Sequence, residues 1–432
     1  MRRYLFIALV IGAIGALTTA LLFEFGLLGR FADKLAVYYA NAGLLEEGAR
    51  PHRVLHALAF TVTSFVTAWA VLDIPRPLHK AIVVLGTALV VLSLSPTFVL
   101  FRGFFEPFSS LCALGVAASL AWIYSLTEHG SRKLRLQRYL GGRVSEAAWA
   151  ALLGEAPPPF FRGANLPVTA LVVRVFNLSR LQAELSPAVL IEITNLFLRN
   201  SGEFLASRGG YLDESSPDAV RVYFGLLRPG SDHAADACAA ALELRQRLDN
   251  LNQLLESRYF QRLDYGMALG TDAMTVGIFR SEGSPRLGAA GELVEFTRRL
   301  AGANREYGSS ILLGASTHAL VRDTFAARPM ELVYDAAKDL MTEAYELVAR
   351  LDDLTPEDDQ ALKDFWQAII YYREGRAEEA LFLFSRLRAA APQDRPLQFF
   401  IDRAQSRLVA SGSSPEEEIY LRHGHARVLQ SL

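Results

Sequence analysis

The stretch Gly209-Gly210-Tyr211-Leu212-Asp213-Glu214-Ser215-Ser216-Pro217-Asp218-Ala219-Val220-Arg221-Val222-Tyr223-Phe224-Gly225 decides the fold. Two glycines open it, a Ser-Pro-Asp turn breaks it, and a run of valines and aromatics closes it, so residues 211–224 read as a β-hairpin. Outward from the hairpin the pattern alternates. A β-rich run at 168–176 and a helix at 187–207 precede it. A helix at 233–255, strands at 264–269 and 275–278, a helix at 293–303, a strand at 310–313 and a short helix at 315–322 follow. Strands interleaved with helical patterns predict an α/β or α+β sandwich over about 161–350.

Several short stretches along this span carry a resemblance. They are 168–173, Leu185-Ser186-Pro187, Gly209-Gly210, Asp218-Ala219-Val220, Phe224-Gly225, Asp232-His233-Ala234-Ala235, 266–277, Gly291-Glu292-Leu293-Val294 and Arg299-Leu300. In order and spacing they are similar to the catalytic domain of class III adenylate and guanylate cyclases. The resemblance implies a ferredoxin-like α+β domain that dimerises head to tail, with each active site between protomers. Residues 128–160, including Arg138 to Glu146, resemble the linker that joins membrane anchors to such domains.

The resemblance also implies a site, and this chain exchanges most of its chemistry. The family uses two aspartates to hold two divalent cations, which need oxygen ligands. The second falls on Asp218, the one candidate metal ligand here, but the first falls on Arg174, and a guanidinium cannot ligate a cation. The adenine-selecting lysine falls on Glu214 and its partner on Gly288. The transition-state asparagine falls on Glu295, while the phosphate-binding arginine is retained as Arg299. Residues i and i+4 share a helical face, so Glu295 is expected to pair with Arg299. Two readings of Arg174 stay open: an ion pair with Asp218 that removes the need for metal, or direct phosphate binding. The resemblance therefore implies a catalytically silent domain with no cofactor. The alternative, an active cyclase, requires Mg or Mn with ATP or GTP.

Before about residue 127 the composition changes. Hydrophobic residues make up 51% of the 432-residue chain, and the excess lies in four apolar runs at 4–23, 54–72, 80–101 and 105–126. Each is long enough to cross a ~30 Å hydrocarbon core as a helix. The first is read as a span and not a removable leader, since its apolar part exceeds the usual ~7–15 residues. Arg2 and Arg3, Arg76 and Lys80, and the basic residues 132–143 flank alternate ends, which predicts cytoplasmic N- and C-termini in an inner membrane. Residues 24–53 predict an amphipathic helix on the outer surface. Gly12, Gly15, Ala16, Gly86, Gly115, Ala117 and Ala118 predict close helix approach. His56 and Glu106 sit near span ends, where an interfacial position is the expectation and a proton or ligand site the alternative.

Residues 356–410 predict an all-α tail. A helix through Phe365-Trp366 to Arg376, a second from Ala377 and a close at Pro392-Gln393-Asp394 look like one tetratricopeptide unit, with Gly375 at the turn and Ala380 at the helix contact. Some bacterial class III cyclases have a similar tail. One repeat buries too little to stand alone, so docking on the cyclase-like domain or a second protomer is expected. Residues 411–432 are expected to be mobile. A formal net charge of -2 gives no case for nucleic-acid binding. Two cysteines, Cys112 and Cys238, give none for a disulfide framework.

The whole predicts a multi-domain membrane-anchored signalling or scaffolding protein that forms homodimers or heterodimers through the cyclase-like domain. Its tail offers a surface for a protein partner. Two alternatives remain: a working or weakly working cyclase, or a structural subunit of a larger membrane assembly.

Overall fold

The apolar runs form helices wherever their length allows a span. In the computed structural model, residues 2–46, 52–74, 77–127, 136, 139–154, 163–228, 230, 232–280, 285–335 and 340–410 are described. The expected break at 156–159, residues 411–432, Arg76 and the basic residues 132, 133, 135 and 138 lie outside them. The chain divides into two units, Met1–Arg138 and Tyr139–Leu432.

The first unit holds α1 (Arg2–Glu24), α2 (Gly29–Asn41), α3 (Arg53–Asp73), α4 (Pro77–Leu100) and α5 (Pro107–Leu126). Four of these, all but α2, are long and apolar enough to cross a membrane. Small residues bring α1 against α3: a Cβ at Gly12 would lie 2.4 Å from the Phe65 ring, and one at Gly15 2.4 Å from Ser64 Oγ. The Ser64 hydroxyl donates to Gly12 O at 2.8 Å. Ala113, Ala117 and Ala121 of α5 are fully buried, so small residues set that seam too. Gly86 and Gly115 do not serve this purpose, because nothing lies within 4 Å of a Cβ at either. Helix α2 supplies the helix expected between the first two spans, with Phe31, Val37 and Tyr38 exposed and Ala32 buried. His56 and Glu106 lie near the ends of their helices and are covered by protein. Both are buried, at 4% and 0% exposure, because α3 and α5 close around them.

The second unit begins with α6 (Glu146–Gly154) and β1 (Ala164–Val175), then α7 (Leu178–Glu184) and α8 (Pro187–Leu198). Helix α8 runs through a π-turn at Arg199–Glu203 into α9 (Phe204–Ser207), so the single helix expected at 187–207 carries a bulge. The hairpin is β2 (Tyr211–Ser216) and β3 (Ala219–Phe224). Its two glycines are dictated locally. Gly209 has φ +93°, which ends α9 in the left-handed region, and a Cβ at Gly210 would lie 2.2 Å from Val222.

There follow α10 (His233–Tyr259), β4 (Tyr265–Phe279), β5 (Arg286–Ala290), α11 (Leu293–Tyr307), β6 (Ile311–Gly314), α12 (Ala315–Val321), β7 (Phe325–Asp335) and β8 (Leu340–Arg350). Sheet order is β2-β3-β1-β4-β6-β8-β7, with β5 paired to β4. The two strands expected at 264–269 and 275–278 are one. Strand β1 pairs with β4 without interruption from Ala164↔Val276 to Val175↔Tyr265, and that ladder carries the strand through residues 270–274. Strand β5 and the β7–β8 hairpin have no counterpart in the sequence expectations.

Alternation along the strands sends side chains to opposite faces. Leu171 and Val173 pack with Val220, Val222, Leu244 and Leu269. Val172 packs on the other side with Ala268, Leu300 and Leu312. That second core also takes Phe365, Phe384 and Phe400 from the three tail helices, α13 (Pro356–Arg373), α14 (Ala377–Ala390) and α15 (Arg395–Ala410). Helix α13 starts where Thr355 and Asp358 form a capping box ahead of Pro356. Gly375 turns the chain at φ +85°. The buried Arg328 guanidinium fixes the tail to β7 and β8, reaching Glu346 and Asp394 at 2.6 Å each.

Candidate functional site

Arg174 is the penultimate residue of β1, paired with Ala219 of β3 on one side and Gly266 of β4 on the other. It shares the face of Val172, and its guanidinium lies over α11: a Cβ at Gly302 would sit 3.0 Å from Arg174 Nη1. A glycine in that turn of α11 therefore makes room for the arginine. Asp218 occupies the β2–β3 turn and is exposed. Its carbonyl accepts from Val175 N at 2.8 Å, and its carboxylate accepts from Ser216 Oγ at 3.1 Å. The Arg174–Asp218 ion pair weighed from the sequence does not form. Among the described residues Arg174 makes no ion pair, because its side chain is drawn to α11 while Asp218 folds onto its own turn.

Glu214 sits beside an irregularity. The β2–β3 register shifts between Leu212 and Glu214, and such a bulge lets two successive residues address one partner. Arg221 Nη2 meets Asp213 Oδ2 at 2.7 Å, and Arg221 Nη1 meets Glu214 Oε2 at 2.7 Å. The same bulge is gripped from the linker: Arg143 Nη1 donates to Asp213 O at 2.7 Å, and Leu212 N donates to Arg143 O at 3.0 Å. Tyr211 and Tyr223 lie under this network. Burial pushes the Tyr211 phenol up to about 12, and its hydroxyl donates to Leu287 O at 2.6 Å. Burial raises Tyr223 as well.

Glu295, in the first turn of α11, takes both nearby arginines. Arg298 Nε and Nη2 donate to its two oxygens at 2.8 Å each, and Arg299 Nε donates to Oε1 at 2.9 Å. These bonds, Arg298 foremost, hold the carboxyl down to about 2. The expected Glu295–Arg299 contact is present, and Arg298 adds a bidentate one that sequence spacing did not single out. Gly288 lies in β5 opposite Gly277. A Cβ there would be 3.1 Å from Phe279 Cδ2, so the Phe279 ring covers the place where a side chain would start.

Sequence reasoning missed Arg221, Arg298 and Arg143. The available signal was the arginine placed across the hairpin from two successive acids. Chemically, the arrangement pairs Glu214 and Glu295 with arginines. The donor set at these positions offers little to a two-cation centre: Asp218 gives one carboxylate, and β1 gives a guanidinium in place of a second.

No family model matches the chain. Adenylate cyclase 1 of Rhizobium meliloti is 22% identical over 181 residues, 42% of this chain and 27% of that protein. The terminal-differentiation-specific adenylate cyclase of Dictyostelium discoideum is 25% identical over 225 residues, 50% of this chain and 10% of that protein. The chain thus matches only a minor part of the length of these relatives. Among solved structures, the guanylyl cyclase Cya2 aligns with a TM-score of 0.41 at 21% identity, over 45% of this chain and 97% of that one. The adenylyl cyclase CyaB from P. aeruginosa aligns at 0.40 and 22% identity, over 45% of this chain and 99% of that one. In sequence, about half of the chain is thus similar to class III adenylate/guanylate cyclases.

Proposed function

We propose that this chain is a membrane-anchored signalling or scaffolding protein whose class III cyclase-type domain is catalytically silent and acts by dimerising and binding partners. The observation that carries the reading is Arg174 at the end of β1, over Gly302, with Asp218 left as a lone carboxylate on the hairpin turn. Cyclisation requires a deprotonated ribose hydroxyl and neutralised phosphate charge, and both depend on cations held by several oxygens. Glu214 and Glu295 add negative charge at the positions for base and transition-state contacts, and each is already paired with arginine. The four long apolar helices supply the anchor, and flanking basic residues favour cytoplasmic termini in an inner membrane. The three tail helices act as a tetratricopeptide-like surface for a protein partner.

A second reading is favoured by the relatives, which are named adenylate cyclases. On that reading the domain makes a cyclic nucleotide from ATP or GTP with Mg or Mn. One assay separates the two. The purified full chain in detergent, given manganese with ATP or GTP, is expected to yield no cyclic product. Turnover that disappears in Asp218→Ala overturns the silent reading and makes Asp218 the anchor of a rearranged site.

A further inference from the structure

The membrane unit carries a polar lock that the cyclase-type domain does not explain. We infer that His56 and Glu106 form a proton-sensitive latch that fastens the α4–α5 connection to α3. The His56 ring is buried between Phe23 of α1, at a centroid distance of 6.3 Å, and Phe105 of the connection, at 5.1 Å. Its Nε2 accepts the backbone N–H of Glu106 at 2.9 Å. An accepting Nε2 carries no proton, so the neutral ring holds its proton on Nδ1. Nδ1 lies 3.6 Å from Glu106 Oε2.

The Glu106 carboxylate is already engaged. Oε1 accepts from Ser109 N at 3.0 Å and Oε2 from Ser109 Oγ at 2.8 Å, which caps α5 ahead of Pro107 at its first position. The ring meets the Phe23 and Phe105 rings, and Glu106 is the titratable side chain beside it.

A second proton on His56 has one place to go, the Nε2 atom that holds the connection. Imidazolium donates at both nitrogens, so two N–H groups then face each other and a buried backbone donor loses its acceptor. Attraction between the new charge and Glu106 does not restore that bond, since Nδ1 stands outside hydrogen-bond distance and rings on both sides oppose rotation. At the start of the connection Arg102 is a non-glycine residue at φ 57°, a conformation that disfavours a side chain. Acidification at the end of the bundle that carries the α3 N-terminus therefore releases the Phe105–Glu106 end of the connection from α3. The membrane unit gains a chemical input, proton concentration.

The test is amide hydrogen exchange of segment 101–109 in the full chain in lipid nanodiscs, corrected for intrinsic rates, at about pH 8 and about pH 5.5. Wild type is expected to exchange about tenfold faster at the lower pH, as loss of one buried bond implies. His56→Gln keeps an acceptor that does not titrate, and its corrected exchange is expected to change much less between the two pH values than that of wild type. Identical pH dependence in the two proteins overturns the latch. Nitrogen NMR of wild-type histidine provides a second reading that does not depend on the variant folding. The tautomer protonated on Nδ1 at about pH 8 supports the latch, and one protonated on Nε2 overturns it.

Discussion

Two arginines in the second unit each hold two carboxylates, and their settings differ. Arg328 joins Glu346 of β8 to Asp394 before α15, with side-chain exposures of 12%, 10% and 22%. Arg221 joins Asp213 and Glu214, successive residues of one hairpin, and Glu214 is 40% exposed. The first cluster ties together segments far apart in sequence, under the Phe365 ring. The second closes a local loop and leaves one acid in water. Burial and sequence separation thus decide what the same chemistry does. At the tail seam it holds domains of structure together, and at the cleft it neutralises charge near the positions that catalysis would need.

The largest expected effect tests the seam. Arg328→Ala leaves Glu346 buried without its cation and should destabilise the second unit by about 3–5 kcal/mol, read by denaturant unfolding of the full chain. The double change Arg328→Met with Glu346→Leu should recover most of that loss, because apolar replacement of a buried pair is often neutral. A loss under ~1 kcal/mol in the single variant would erase the distinction between seam and cleft. Arg221→Ala should cost less, about 1–3 kcal/mol, since Asp213 loses a buried partner while Glu214 is solvated.

Glu295 sharpens the cleft side. Its folded carboxyl is depressed to about 2 from 4.5, so its contribution is present above about pH 4.5 and lost as pH falls toward 2. The side chain is 47% exposed, and screening should hold the loss to under ~1 kcal/mol. Glu295→Ala should flatten that part of the stability–pH curve, and an unchanged curve would remove the assigned pairing. The smallest effect is none. Arg174→Asp alone should yield no cyclic nucleotide, because Gly288 and Glu295 still lack base and transition-state contacts.

Much of this was legible in the chain. The hairpin, the order of most helices and the four apolar runs all follow from local pattern, since period and turn chemistry are properties of short stretches, whereas the exchange at Arg174 came only from the resemblance to class III cyclases. Strand β5 and the β7–β8 hairpin were not, because five residues such as Arg286–Ala290 pair only where β4 offers an edge. Glycines 209 and 210 announced their turn. Gly302 announced nothing, since its reason is an arginine more than a hundred residues earlier.

The sequence by itself determined the alternation of the second unit and the four long apolar helices. Tertiary structure decided which charges meet. Arg174 turned to α11 and not to Asp218, Arg221 took both acids across a bulge, and His56 and Glu106 became buried partners. Spacing along a chain fixes neighbours within a helix or hairpin, whereas contact across a sheet face or between helices depends on packing that only the folded chain supplies.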